Sequence, residues 1–124
     1  MQWKRENPSS QRRLGGAGHI GPPNPANITL KQPCVYILAS QKNGTLYVGV
    51  TSDLVKRVWQ HKNELAEGFT KEHKVHTLVW YEVHETMESA IVREKNIKAW
   101  KRLWKLELIG KSNLDWNDLF DQIV

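Results

Sequence analysis

The sequence predicts an α+β domain, a small three-stranded antiparallel sheet flanked by helices in the order β-β-α-β-α-α. Three observations predict it. Two short β-rich runs, 34–40 and 45–51, are joined through Asn43-Gly44, a strong hairpin signal. A third β-rich run occupies 77–84, with Leu78, Trp80, Tyr81 and Val83. The stretches after the hairpin and after the third run carry helix caps and apolar residues at helical spacing.

The hairpin comes first. With Asn43-Gly44 as a two-residue turn, Lys42 pairs with Thr45, Ser40 with Tyr47, Leu38 with Gly49 and Tyr36 with Thr51. Alternate residues share a face. One face then holds Val35, Ile37, Ala39, Leu46, Val48 and Val50 and is wholly apolar. The other holds Tyr36, Leu38, Ser40, Tyr47, Gly49 and Thr51, which sets two phenols side by side with open space expected at Gly49. A slip of one residue would send the tyrosines to opposite faces. They are either packing residues beneath a helix or the start of a site.

Thr51, Ser52 and Asp53 offer N-cap side chains for a helix from about Leu54 to Glu67. Leu54, Val58, Leu65 and Phe69 form its apolar stripe, and Gly68 supplies a stop. Arg57 and His61 lie one turn apart on a flank of that stripe. Each has an ordinary surface reading, yet both can lie beside the tyrosine face. Thr86 can cap a long helix over about Met87–Leu108, and a short helix from about Asp115 carries Trp116, Leu119, Phe120 and Ile123.

The long helix holds the odd residue. Met87, Ala90, Ile91 and Ile97 make its apolar stripe, and Glu94 falls inside it. A carboxylate there needs a cation, whether a metal or a side chain such as Lys98 at i+4. Lys98, Lys101 and Lys105 continue one side of that helix, with Arg102 beside them. Trp100 and Trp104 lie one turn apart on it, suited to helix packing or to stacking on unpaired bases.

Composition limits the classes. The 124 residues suit a single domain. Hydrophobic residues make up 40% and charged residues 25%, ordinary for a globular chain. No apolar run approaches the roughly 20 residues that cross a bilayer, and the start lacks a secretory signal. The expectation is a cytoplasmic protein with no membrane partner. One cysteine, Cys34, excludes an internal disulfide and reads as a small buried hydrophobe. The formal net charge of +5 suits a polyanion. Residues 1–32 read as a disordered basic tail rich in Gly and Pro, and 33–124 as the folded domain.

Cys34-Val35-Tyr36, then Tyr47-Val48-Gly49, then Arg57 and His61, then an acid within "AIVREKNIKAWKRLWK", resembles the GIY-YIG nuclease superfamily. More narrowly, it is similar to small stand-alone bacterial members related to the nuclease domain of the excision-repair excinuclease. Cys34 stands where the first motif has glycine, and valines replace both isoleucines.

The resemblance implies a three-stranded sheet with flanking helices and metal-dependent phosphodiester hydrolysis, with DNA as the expected substrate and DNA repair as the setting. It implies catalytic roles for Tyr36, Tyr47, Arg57, His61 and Glu94, with Glu94 holding one Mg²⁺ or Mn²⁺. Asn113, in "SNLDW", is a further candidate. Lys56, Lys98, Lys101, Arg102 and Lys105 would follow a nucleic-acid backbone. No small-molecule cofactor is expected. The rival reading is a non-catalytic nucleic-acid-binding module on the same fold. A third is an interaction domain using Trp100, Trp104 and Trp116.

Overall fold

The computed structural model describes residues 31–65 and 68–124. Nearly all of the expected basic tail, 1–30, lies outside the described residues. Strands β1 (Cys34–Ala39), β2 (Leu46–Thr51) and β3 (Thr77–Val83) form one antiparallel sheet in the order β2-β1-β3. Around it lie helices α1 (Leu54–Lys62), α2 (Phe69–His73), α3 (Met87–Ala99), α4 (Arg102–Ser112) and α5 (Phe120–Ile123). Among the described residues no helix is long and apolar enough to cross a membrane.

The central strand β1 is buried along its whole length, which explains its unbroken apolar character. Its alternation divides the core in two. Cys34, Tyr36 and Leu38 pack with Leu54, Val55 and Val58 of α1 and with Ile123 of α5. Val35, Ile37 and Ala39 pack with Val48, Val50, Ala90 and Ile97, and with Ile109 of α4. On β3 the pairing jumps from Ile37–Trp80 to Leu38–Leu78. The bulge lets Val79 and Trp80 both join the α3 side.

The hairpin differs from expectation by two residues. Leu38 pairs with Tyr47 and Tyr36 with Gly49. Asn43-Gly44 closes a longer loop, in which Ser40 N–H donates to Thr45 C=O (3.0 Å) and Thr45 N–H donates to Ser40 Oγ (3.0 Å). Gly44 N–H donates to Gln41 C=O (2.9 Å), and Asn43 adopts φ 60°. A Cβ on Gly44 would sit 2.4 Å from Ser40 Oγ, so a larger residue would displace that hydroxyl from its bond to Thr45. A slip of two preserves parity, and both tyrosines stay on one face.

Asp53 caps α1 by accepting from Lys56 N–H, but the helix stops at Lys62, well before Gly68. Leu65 N–H reaches Gln60 C=O (2.8 Å) and Glu64 N–H reaches His61 C=O (3.1 Å), the paired bonds of a Schellman ending. Glu64 takes the left-handed position at φ 57° that glycine usually fills, and its carboxylate faces Lys74 (3.6 Å) and His76 (3.5 Å). Leu65 is consequently outside the stripe assigned to it and 62% exposed.

The long second helix is also two helices. Trp100 and Lys101 are both extended, with ψ 153° and 152°. Continuing the buried line of Ala90, Glu94 and Ile97 through one more turn would have pointed Lys101 at the core. The break turns Ile109 inward instead, with Leu106 and Leu108 packed beside it.

Candidate active site

The hairpin and α1 bring Tyr36, Tyr47 and His61 together. Ring centroids are 6.3 Å apart for the tyrosines, 5.8 Å for Tyr36–His61 and 5.3 Å for Tyr47–His61. Tyr36 OH lies 3.0 Å from His61 Nε2, and His61 Nδ1 lies 3.0 Å from Thr70 Oγ1. A neutral imidazole serves both contacts, one ring nitrogen donating and the other accepting. Burial, reinforced by the charges of Arg57 and His76, pushes the His61 pKa from 6.5 down to about 3. His61 is therefore neutral near pH 7 and holds the Tyr36 hydroxyl in place.

The space expected at Gly49 is filled. A Cβ there would lie 2.6 Å from Tyr36 Cζ and from its hydroxyl oxygen, so the ring lies across bare backbone. Glycine at this position is what lets Tyr36 reach His61. Arg57, half-buried on α1, donates from Nη1 to Gln60 Oε1 (3.1 Å), and its charge is felt at the imidazole.

Glu94 arrives from the other layer. Its helix covers the sheet face opposite the tyrosines, and its side chain is 0% exposed. Lys98 Nζ stands 3.8 Å from Oε2, a charge pairing longer than a hydrogen bond. Among the described residues no group of three or more His, Cys, Asp or Glu side chains could hold a metal. A hard carboxylate oxygen is the ligand type that Mg²⁺ and Mn²⁺ take, but Glu94 is fully covered here, so a hydrated ion reaches it only if the covering groups move.

The other predicted positions divide by task. Asn113 is a bracket within the fold. Its Nδ2 donates to Val79 C=O (3.1 Å) and Asn117 C=O (2.8 Å), and its Oδ1 accepts from Asn117 N–H (3.0 Å). Arg102 grips the hairpin, with Nη2 on Asn43 C=O (2.8 Å) and Gly44 C=O (2.7 Å). Both are engaged with backbone carbonyls, Asn113 buried and Arg102 exposed.

Lys101 is exposed at the start of α4, and Lys105 is half-buried, its pKa lowered by burial and then by Arg102. The helix break separates these two from Lys98, so they do not form one continuous ridge. Lys56 is half-buried on α1. Cys34 is a core residue as expected, its thiol pushed up to about 12 by burial and then by Asp53. Thr70 was not legible in the sequence. It sits on the short helix α2, and no local pattern ties it to His61.

A family model described as the GIY-YIG catalytic domain matches residues 32–107. The chain is similar to a UPF0213 protein of Staphylococcus saprophyticus, 36% identical over 77 residues, which is 62% of this chain and 93% of the relative. A UPF0213 protein of Staphylococcus aureus is 37% identical over 75 residues, 60% of this chain and 90% of the relative. No solved structure matches at comparable significance.

Proposed function

The chain belongs to the GIY-YIG family, a family of nucleases, and from that premise we propose that it is a metal-dependent endonuclease hydrolysing phosphodiester bonds in DNA. The observation that carries the reading is the Tyr36–His61 contact, with Tyr47 against both rings and the Arg57 charge beside the imidazole.

Phosphodiester hydrolysis requires an activated water, a counter-charge for the phosphoryl oxygens and help for the leaving oxygen. Tyr36, fixed by His61, orients the water. Because His61 resists protonation down to about pH 3, it acts by holding the phenol and not as a cationic phosphate ligand. Arg57 offers a planar fork to a non-bridging oxygen once it leaves Gln60. Tyr47 walls the Tyr36 ring. Glu94 is the residue that would hold one Mg²⁺ or Mn²⁺, which would supply Lewis-acid stabilisation of phosphoryl charge. Because α3 covers the sheet face opposite Tyr36, Glu94 and the Tyr36 cluster would have to reach one phosphate around the sheet. Lys56, Lys98, Lys101 and Lys105 attract the backbone without reading sequence.

The alternative, a non-catalytic nucleic-acid-binding module, is favoured by one feature. Tyr36, His61 and Glu94 are exposed by 1%, 1% and 0%, so in this conformation their side chains are covered. One assay decides between the two. Branched, nicked and single-stranded DNA are incubated with Mn²⁺ or Mg²⁺ and wild type, Glu94→Ala or Tyr36→Phe, each variant first shown to be folded by thermal melting. The expected result is metal-dependent cleavage by wild type, reduced on the order of 10³-fold in Glu94→Ala, a loss of about 4 kcal/mol of barrier lowering. DNA binding is retained. Binding without cleavage in either metal, or equal products from wild type and Glu94→Ala, rejects the enzyme reading.

A further inference from the structure

The outer flank of α4 carries apolar surface that the fold leaves exposed. Trp104 is 49% exposed and Leu103 60%, on a helix whose Ile109 is fully buried. Trp104 and Leu103 lie next to each other and add apolar surface beside a cleft. The cleft has a volume of about 280 Å³ and is lined by Trp100, Trp104, Glu107, Leu108 and Lys111. Trp104, Glu107, Leu108 and Lys111 share one flank of α4, and Trp100, the last residue before the break, closes the end of the cleft nearest Trp104.

Two details suit the groove to a flat aromatic ligand with negative charge at its ends. Trp100 is half-buried against the core and meets Trp104 edge-to-face, with centroids 6.1 Å apart and planes at 77°. This contact steadies the Trp104 ring. Lys101 Nζ lies 5.9 Å from the centre of that ring, and Lys111 stands at the far end of the flank. From Lys101 to Ser112 the cations Lys101, Arg102, Lys105 and Lys111 face a single acid, Glu107.

We infer that this groove binds an unpaired stretch of nucleic acid, with a base stacked on Trp104 and flanking phosphates held by Lys101 and Lys111. A duplex keeps its base faces stacked on one another and cannot offer one to an indole, so the occupant is single-stranded. An apolar peptide would gain nothing from cations at both ends. The inference rests on nucleic acid being the substrate class but not on catalysis.

The test is binding of a short labelled oligothymidylate, followed by fluorescence anisotropy with EDTA present so that no strand is cut. Trp104→Ala is expected to weaken binding roughly 5- to 100-fold, while Trp104→Phe keeps most of it. An abasic strand of equal phosphate count binds wild type about as weakly as oligothymidylate binds Trp104→Ala. Lys111→Gln lowers the slope of log affinity against log salt by about one.

Trp104 is half exposed, so its variants are expected to fold, and a melting curve checks that they do. Oligothymidylate binding that is unchanged in Trp104→Ala, or equal for abasic and normal strands, overturns the inference. So does a change of sedimentation in Trp104→Ala with oligonucleotide binding intact, which would make the groove a self-association face. The Glu94→Ala cleavage assay reports separately, so the nuclease reading can stand while this one falls.

Discussion

The two faces of the sheet are built from alternate residues of the same strands, yet they solve burial in opposite ways. On the α1 side, polar rings are buried as a neutral network: Tyr36 bonds His61, His61 bonds Thr70, and Tyr47 packs against both rings. On the α3 side, a carboxylate, Glu94, is buried on the same helix as Ala90 and Ile97 of the apolar core, and the ammonium 3.8 Å from it belongs to a partly exposed lysine. The difference is between polar groups that satisfy one another and a carboxylate whose ion pair is long. A satisfied neutral network rigidifies and fixes geometry. A buried carboxylate is costly, which is why Glu94 stands out on its face.

The largest expected effect concerns the neutral side. The unfolded chain takes up a proton on His61 near its ordinary 6.5, whereas the folded chain does so only near 3. Between those values the unfolded state binds more protons, so stability is fully present above about 6.5 and falls as pH drops toward 3. This group alone contributes up to about 1.4 kcal/mol per pH unit, a few kcal/mol in all. Urea unfolding from pH 7 to 4 is expected to show a flatter profile in His61→Gln than in wild type. Parallel profiles would mean that the imidazole is not held neutral.

Next comes the bare backbone beneath Tyr36. Gly49→Ala forces a methyl into the ring and is expected to cost about 1–3 kcal/mol, read from the urea midpoint. Tyrosine fluorescence or NMR shifts at His61 should change with it. An unshifted midpoint with an intact His61 signal would show that the ring has room the geometry denies it.

The smallest effect sharpens the contrast from the charged side. Glu94→Met keeps the volume and removes the charge, so stability is expected to hold or to rise by up to about 2 kcal/mol, while cleavage is lost. A melting temperature that falls as far as in Gly49→Ala would place Glu94 among the structural residues and erase the distinction between the faces.

Much of this arrangement is legible in the chain because it is local. Asn43-Gly44 marks the hairpin, Asp53 and Thr86 mark helix starts by capping, and Glu94 stands out inside an apolar stripe. The register error was harmless only because it was even. The helix ends were not legible, since neither the Schellman ending at Glu64 nor the break at Trp100-Lys101 uses glycine or proline. Glu64 takes the left-handed position where an ion pair with Lys74 awaits it, and the break follows from which residues can face the sheet. Asn113, a candidate through the resemblance, and Arg102, a candidate for backbone charge, also bond backbone carbonyls distant in sequence, contacts that no local pattern announces.

By itself the sequence determined the three strands, the helix starts at Leu54 and Met87, and that both tyrosines share a face. These depend on side-chain parity and on contacts within a few residues. Only the tertiary structure decided that His61 would be neutral and bonded to Thr70, that Tyr36 would lie over Gly49, and that Glu94 would be buried on the opposite layer. Each depends on groups far apart in the chain meeting in a medium of low polarity, where desolvation and proximity set charge state and partner.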